Sequence, residues 1–141
     1  MKKTNANATW SGTIKGGQGN VKLPSTGYET PFTFAGRFED GDGTNPEELI
    51  GAALAGCFSM ALSLNLEQEG AKPENIETNA EVTLSSADGG FQISEIALKT
   101  RVSAEGAEEG KFKEIAEMTK KTCPVSQALG AVRITLDASL A

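Results

Sequence analysis

Apolar positions along this chain change their period several times, and each change marks a new element. From Thr9 to Leu23 they are sparse: Trp10, Ile14 and Val21 stand among short polar residues, and Gly16-Gly17-Gln18-Gly19-Asn20 predicts the turn of a β-hairpin. Between Phe32 and Phe38, Phe32, Phe34 and Gly36 alternate with Thr33, Ala35 and Arg37, which predicts a third strand with Arg37 near its end. The acidic turn Glu39-Asp40-Gly41-Asp42-Gly43 follows. Thr44-Asn45-Pro46-Glu47-Glu48 is a helix start, with Asn45 as N-cap, Pro46 at the first helical position, Glu48 three residues past the cap and acids at the positive helix end.

The helix that follows carries Leu49, Ile50, Ala53, Leu54, Cys57, Phe58, Ala61, Leu62 and Leu64, apolar on most of its circumference, which predicts a buried central helix ending at Gly70. Alternation returns over Ile76 to Leu84 and Phe91 to Ser103, with Asp88-Gly89-Gly90 between them, the pattern of a long antiparallel hairpin. Phe112, Ile115, Ala116 and Thr119 mark an amphipathic helix ending at Lys120-Lys121-Thr122, which Pro124 keeps from continuing past Cys123. Ser126 to Leu129 adds a short helical turn, and Val132, Ile134 and Leu136 a last strand. Strands, central helix, strands, helix, strand make an α+β arrangement, read as a single domain over residues 1–141 with no linker or repeat.

Charge narrows the partners. With 13 Lys and Arg against 19 Asp and Glu, a net charge of −6, the chain is a poor match for nucleic acid or an anionic membrane surface. It has no histidine, so the commonest metal ligand and general base is missing, and a nucleophile must be activated by a charge, a helix end or a carboxylate. No apolar run follows Lys2-Lys3, and the apolar stretches elsewhere are interrupted, so the expectation is a soluble, cytoplasmic protein with no membrane partner.

The two cysteines are the candidate chemistry. Cys57 in mid-helix reads by itself as a small buried hydrophobe, whereas Cys123 stands where proline breaks a helix and its sulfur can meet a neighbour. Their spacing fits neither a zinc site nor a Cys-x-x-Cys motif and does not choose between a redox pair and two inert thiols. Arg37 beside Glu39 and Asp40 reads equally as a solvated ion pair, and Glu47 as an answer to the helix dipole.

A resemblance adds what spacing leaves open. Arg37-Phe38-Glu39, Thr44-Asn45-Pro46-Glu47-Glu48-Leu49-Ile50-Gly51-Ala52-Ala53, Cys57-Phe58-Ser59-Met60-Ala61-Leu62 and Cys123-Pro124-Val125-Ser126-Gln127-Ala128-Leu129 resemble the OsmC (osmotically inducible protein C) branch of the OsmC/Ohr family, in order and nearly end to end. The resemblance implies an OsmC-like fold, with antiparallel sheets around a long central helix in an intertwined homodimer. It implies a peroxidase that reduces organic hydroperoxides in oxidative or osmotic stress. It implies Cys57 as the reactive cysteine, Cys123 as its resolving partner through a disulfide, and Arg37 and Glu47 at the same site. No bound cofactor is implied; an external dithiol such as dihydrolipoamide or thioredoxin would restore the thiols. The alternative is a non-catalytic ligand-binding stress-response module on the same fold.

Elementary chemistry accords with these roles. A thiol is mostly protonated at neutral pH, burial raises its pKa further, and the Arg37 guanidinium could oppose both effects and bind peroxide oxygens. Glu48 suits the capping of Asn45, which leaves Glu47 for Arg37. Glu47 and Cys57 are ten residues apart on one helix, about 15 Å along its axis, so a site using both draws the glutamate from a second chain.

Overall fold

The helix start around Asn45 opens the longest element of the chain. The structure, a computed structural model, describes residues 1–141, whose contacts separate into two compact units, Met1–Leu49 and Ile50–Ala141.

In the first unit, β1 (Asn7–Ser11), β2 (Gln18–Leu23) and β3 (Tyr28–Phe32) form an antiparallel sheet in the order β1-β2-β3. The first turn lies earlier than the glycine run suggests: Gln18, Gly19 and Asn20 pair with Ser11, Trp10 and Thr9 inside β2. Gly19 faces Phe32, whose ring meets Trp10 at 5.4 Å between centroids, so a side chain at that position would displace the aromatic pair.

The segment expected to be a third strand to Phe38 is only partly one. β3 ends at Phe32, and Phe34–Phe38 forms a short helix, α1, so Arg37 lies in a helical turn and not near a strand end. Thr33 is the reason: its extended backbone caps α1, and its hydroxyl accepts the Gly36 N–H at 3.0 Å. Two or three alternations suit either conformation, and a cap decides between them.

The second unit is built on α2 (Pro46–Gln68), which starts in the first unit, and on β4 (Lys72–Ala87), β5 (Gly90–Glu105), α3 (Glu109–Thr122), α4 (Pro124–Ala128) and β6 (Arg133–Leu140). β4 and β5 make the expected long hairpin around Asp88-Gly89, with a register irregularity at Thr83/Leu84. The α3-α4 crossover brings β6 back parallel to β5, so this sheet is mixed, in the order β4-β5-β6.

Gly70 ends α2 as expected. At φ 87° it lets the Ala71 N–H reach the Leu66 carbonyl at 3.0 Å and its own N–H the Glu67 carbonyl at 3.0 Å, a Schellman motif that also buries Ala71 beside Leu66.

One stripe of α2, Leu54, Phe58, Leu62 and Leu66, is buried in a single cluster with Ile96, Leu98 and Val102 of β5 and Phe112, Ile115 and Ala116 of α3. Each of the leucine, isoleucine, valine and phenylalanine side chains contributes roughly 1.5–3 kcal/mol by leaving water. Polar ties fix the helix on the sheet: Ser59 donates to Thr78, Thr78 and Thr100 share a bond of 2.9 Å, and Asn65 donates to Thr119 of α3. By length and mean hydropathy, 1.8, α2 could equally cross a membrane; packing of this stripe is how a core helix satisfies the same pattern.

The rest of the helix departs from expectation. Within one chain α2 is buried on that stripe and not around most of its circumference: Met60 is 78 % and Leu64 54 % exposed, and Ala52, Ala53 and Gly56 also face outward. A three-stranded sheet and one helix can cover one side of a helix, not all of it.

Candidate active site

The four candidate residues come together as two pairs. In the first unit, Arg37 on α1 meets Glu47 in the first turn of α2: Nη2 donates to Oε1 at 2.8 Å and Nε to Oε2 at 3.3 Å. This is a two-pronged pair that holds the guanidinium in the carboxylate plane. Its carboxylate side chain is only 9 % exposed against 38 % for the arginine, so the acid is anchored inside while part of the cation faces outward.

Asn45 sets this geometry from both sides. Its Oδ1 accepts the Glu48 N–H at 2.8 Å and caps α2, while its Nδ2 donates to the Gly36 carbonyl at 3.1 Å and ties α1 to the helix start. Gly36 permits the approach, since a Cβ there would lie 2.8 Å from the Asp42 carbonyl oxygen. Glu48 gives the cap its backbone N–H and stays exposed, which leaves Glu47 to Arg37, as the sequence suggests. The Arg37 guanidinium carbon also sits 5.4 Å from the Phe38 ring centroid, a cation–π contact.

In the second unit, Cys57 and Cys123 are neighbours, both with free thiols. Burial pushes the Cys57 thiol above its ordinary range; the Val125 backbone N–H opposes this, and Cys123 adds to it through a hydrogen bond and charge. None of these groups is a cation.

Cys123 is 1 % exposed and caps α4: its Sγ accepts the Ser126 N–H at 3.4 Å and lies 3.1 Å from the Ser126 hydroxyl. Pro124 at the first position of α4 makes this turn. Val125 and Ser126, the polar partners of the two sulfurs, escape sequence reasoning, which reads that stretch only as a helical turn. The available signal is Pro124 directly after Cys123, since proline suits a first helical position and so makes the preceding Cys123 the N-cap of a new helix. No group of three or more His, Cys, Asp or Glu side chains is arranged to hold a metal ion.

The second unit thus brings two free thiols together on an α+β scaffold, and the first holds an arginine–carboxylate clamp. The family model described as OsmC-like protein matches residues 39–137. The chain belongs to the OsmC family. Peroxiredoxin OsmC of Escherichia coli (strain K12) is 50 % identical over 134 residues, covering 94 % of this chain and 93 % of that one. Organic hydroperoxide resistance protein-like 2 of Staphylococcus epidermidis (strain ATCC 12228 / FDA PCI 1200) is 32 % identical over 143 residues, covering 94 % of this chain and 96 % of that one. The crystal structure of the organic hydroperoxide resistance protein OhrB of Bacillus subtilis superimposes with a TM-score of 0.71 at 25 % identity, covering 96 % of this chain and 98 % of that one.

Proposed function

We propose that this protein reduces organic hydroperoxides to alcohols through a sulfenic acid on Cys57 and a Cys57–Cys123 disulfide. That it is a thiol-dependent peroxidase follows from its family. The observation that carries the finer reading is that a partly buried cysteine and a buried one are neighbours on one chain.

The Cys57 thiolate attacks the terminal peroxide oxygen, the O–O bond breaks, and the alkoxide leaves and takes a proton to become the alcohol. The Cys123 thiol then attacks the sulfenic sulfur, its proton leaving with the hydroxyl as water. An external dithiol, such as dihydrolipoamide or thioredoxin, returns both thiols, in the cytoplasm, where such pairs can cycle.

Arg37 supplies the cation that the Cys57 environment lacks, favouring the thiolate and steadying the alkoxide, while Glu47 holds its plane. Glu47 and Cys57 lie about 15 Å apart along one helix, so the clamp that serves Cys57 belongs to a second copy of the chain. The outward apolar stripe of Met60 and Leu64 gives a homodimer its contact, and Gly56, with open space around its Cβ position, leaves room for a second helix to approach closely.

The test compares kcat/KM for cumene hydroperoxide and hydrogen peroxide. An apolar tail gains roughly 25 cal/mol per Å² buried against an apolar wall, and hydrogen peroxide has none to bury. Higher efficiency with cumene hydroperoxide supports the proposal. Preference for hydrogen peroxide, or turnover by Cys57→Ser, contradicts it.

A further inference from the structure

We propose that Ser126 is a positioning residue for the reduction half of the cycle, holding Cys123 as the leaving sulfur so that the incoming thiol attacks Cys57. The inference rests on the disulfide reading above and goes beyond it, because that reading does not say which sulfur the reductant meets.

Two observations carry it. The first is the division of the α4 amides. Pro124 has no N–H to give; the Ser126 amide donates to Cys123 Sγ at 3.4 Å, while the Val125 amide acts on the Cys57 thiol by favouring its charged form. The second is the hydroxyl of Ser126, 5 % exposed, whose bond of 3.1 Å is to the Cys123 sulfur. Either atom can be the donor. With Cys123 as a thiol, its S–H donates to Oγ; with Cys123 as a thiolate, Oγ–H turns and donates to sulfur. Alanine could do neither.

Disulfide exchange needs the attacking, central and leaving sulfurs in line, and the leaving sulfur takes the electron pair. Cys123 is enclosed, 1 % exposed, with two donors ready for the charge it would carry. Cys57 is the less enclosed of the two, only partly buried where Cys123 is buried. A thiolate of the external dithiol therefore attacks Cys57 Sγ, the bond between the two cysteines breaks, and Cys123 departs as a thiolate bonded by Ser126 before it gains a proton from water. The second thiolate of the reductant then attacks its own sulfur in the mixed disulfide. Cys57 is released as a thiolate and the dithiol is oxidised to its cyclic disulfide.

The experiment begins with parent protein oxidised by one equivalent of cumene hydroperoxide, exposed briefly to the monothiol N-acetylcysteine, quenched with an alkylating agent and mapped by peptide mass spectrometry. The adduct is expected on Cys57 and the alkyl group on Cys123. In parallel, oxidised Ser126→Ala should react with dithiothreitol about 10-fold more slowly than parent, as for the loss of one hydrogen bond to a developing charge. The same variant should lose less rate in the peroxide half-reaction, a split that general loosening of the fold would not produce. Its exchange equilibrium with dithiothreitol should shift about 10-fold toward the disulfide, about 30 mV in potential.

An adduct on Cys123, or a Ser126→Ala protein with the parent's reduction rate and equilibrium, overturns the inference and leaves the disulfide reading standing. If oxidised parent contains no Cys57–Cys123 disulfide, both fall. Should Ser126→Ala not fold, the adduct map of the parent decides.

Discussion

Glu47 is the residue whose replacement most sharply separates an organised clamp from an incidental ion pair. In Glu47→Gln the shape is kept, but one carboxylate oxygen becomes an amide that meets the Arg37 guanidinium donor to donor, at a contact that now measures 2.8 or 3.3 Å. A hydrogen bond to a charged group is worth roughly 1.5–3 kcal/mol. Because Arg37 is partly exposed, water replaces some of this, and we expect a loss of about 1–2 kcal/mol. Unfolding entropy near 2.1 cal/mol/K per residue makes that a fall in Tm of about 3–7 °C for a chain of 141 residues. If the guanidinium also steadies the departing alkoxide, kcat/KM for cumene hydroperoxide should fall by roughly 10-fold or more. Glu48→Gln is the control: Glu48 is exposed and contributes its backbone N–H, so the change should stay within about 0.5 kcal/mol. Thermal unfolding and peroxidase assays on both variants decide the matter. Equal behaviour of Glu47→Gln and Glu48→Gln in both assays would refute the clamp.

Other outcomes follow from the same geometry. Burial and Cys123 push the Cys57 thiol up, and the proposed Arg37 contact opposes them, so the alkylation rate of Arg37→Ala should level off at a higher pH than that of the parent protein; superimposable profiles would remove Arg37 from the thiol. Leu64→Glu places a charge on an outward position at little cost to the single chain, and sedimentation should show it converting a dimer to a monomer with loss of turnover; a monomeric parent would contradict the proposed assembly. Gly70→Ala forces an unfavourable positive φ and should cost about 1 kcal/mol in thermal unfolding, with activity kept.

Local rules carry much of this fold. The N-cap Asn45 with Pro46, the stop at Gly70 and the Asp88-Gly89 hairpin are all chemistry within a few residues, and each is found where the sequence predicts it. The departures have equally definite causes. Phe34–Phe38 alternates like a strand, but the Thr33 cap makes it a helix and turns Arg37 toward Glu47. The parallel run of β6 depends on the crossover through α3 and α4, which no local pattern encodes. The apolar girth of α2 predicts burial on all sides, while a single chain buries only the Leu54, Phe58, Leu62 and Leu66 stripe. As for the site, residue types and resemblance point to the four side chains; the bonds of Val125 and Ser126 to the two sulfurs depend on how α4 folds back, and only coordinates reveal them.

The central claim is that Cys57 and Cys123 form one redox unit, and intact-mass and peptide mass spectrometry after one equivalent of an organic hydroperoxide test it most directly. Parent protein should lose two hydrogens per chain and yield a linked Cys57–Cys123 peptide. Cys123→Ser should stop at a trappable sulfenic acid on Cys57 that more peroxide carries to the sulfinic state, and Cys57→Ser should stay unoxidised. Persistence of both free thiols in the parent protein, or oxidation of Cys123 with Cys57 untouched, would contradict the account.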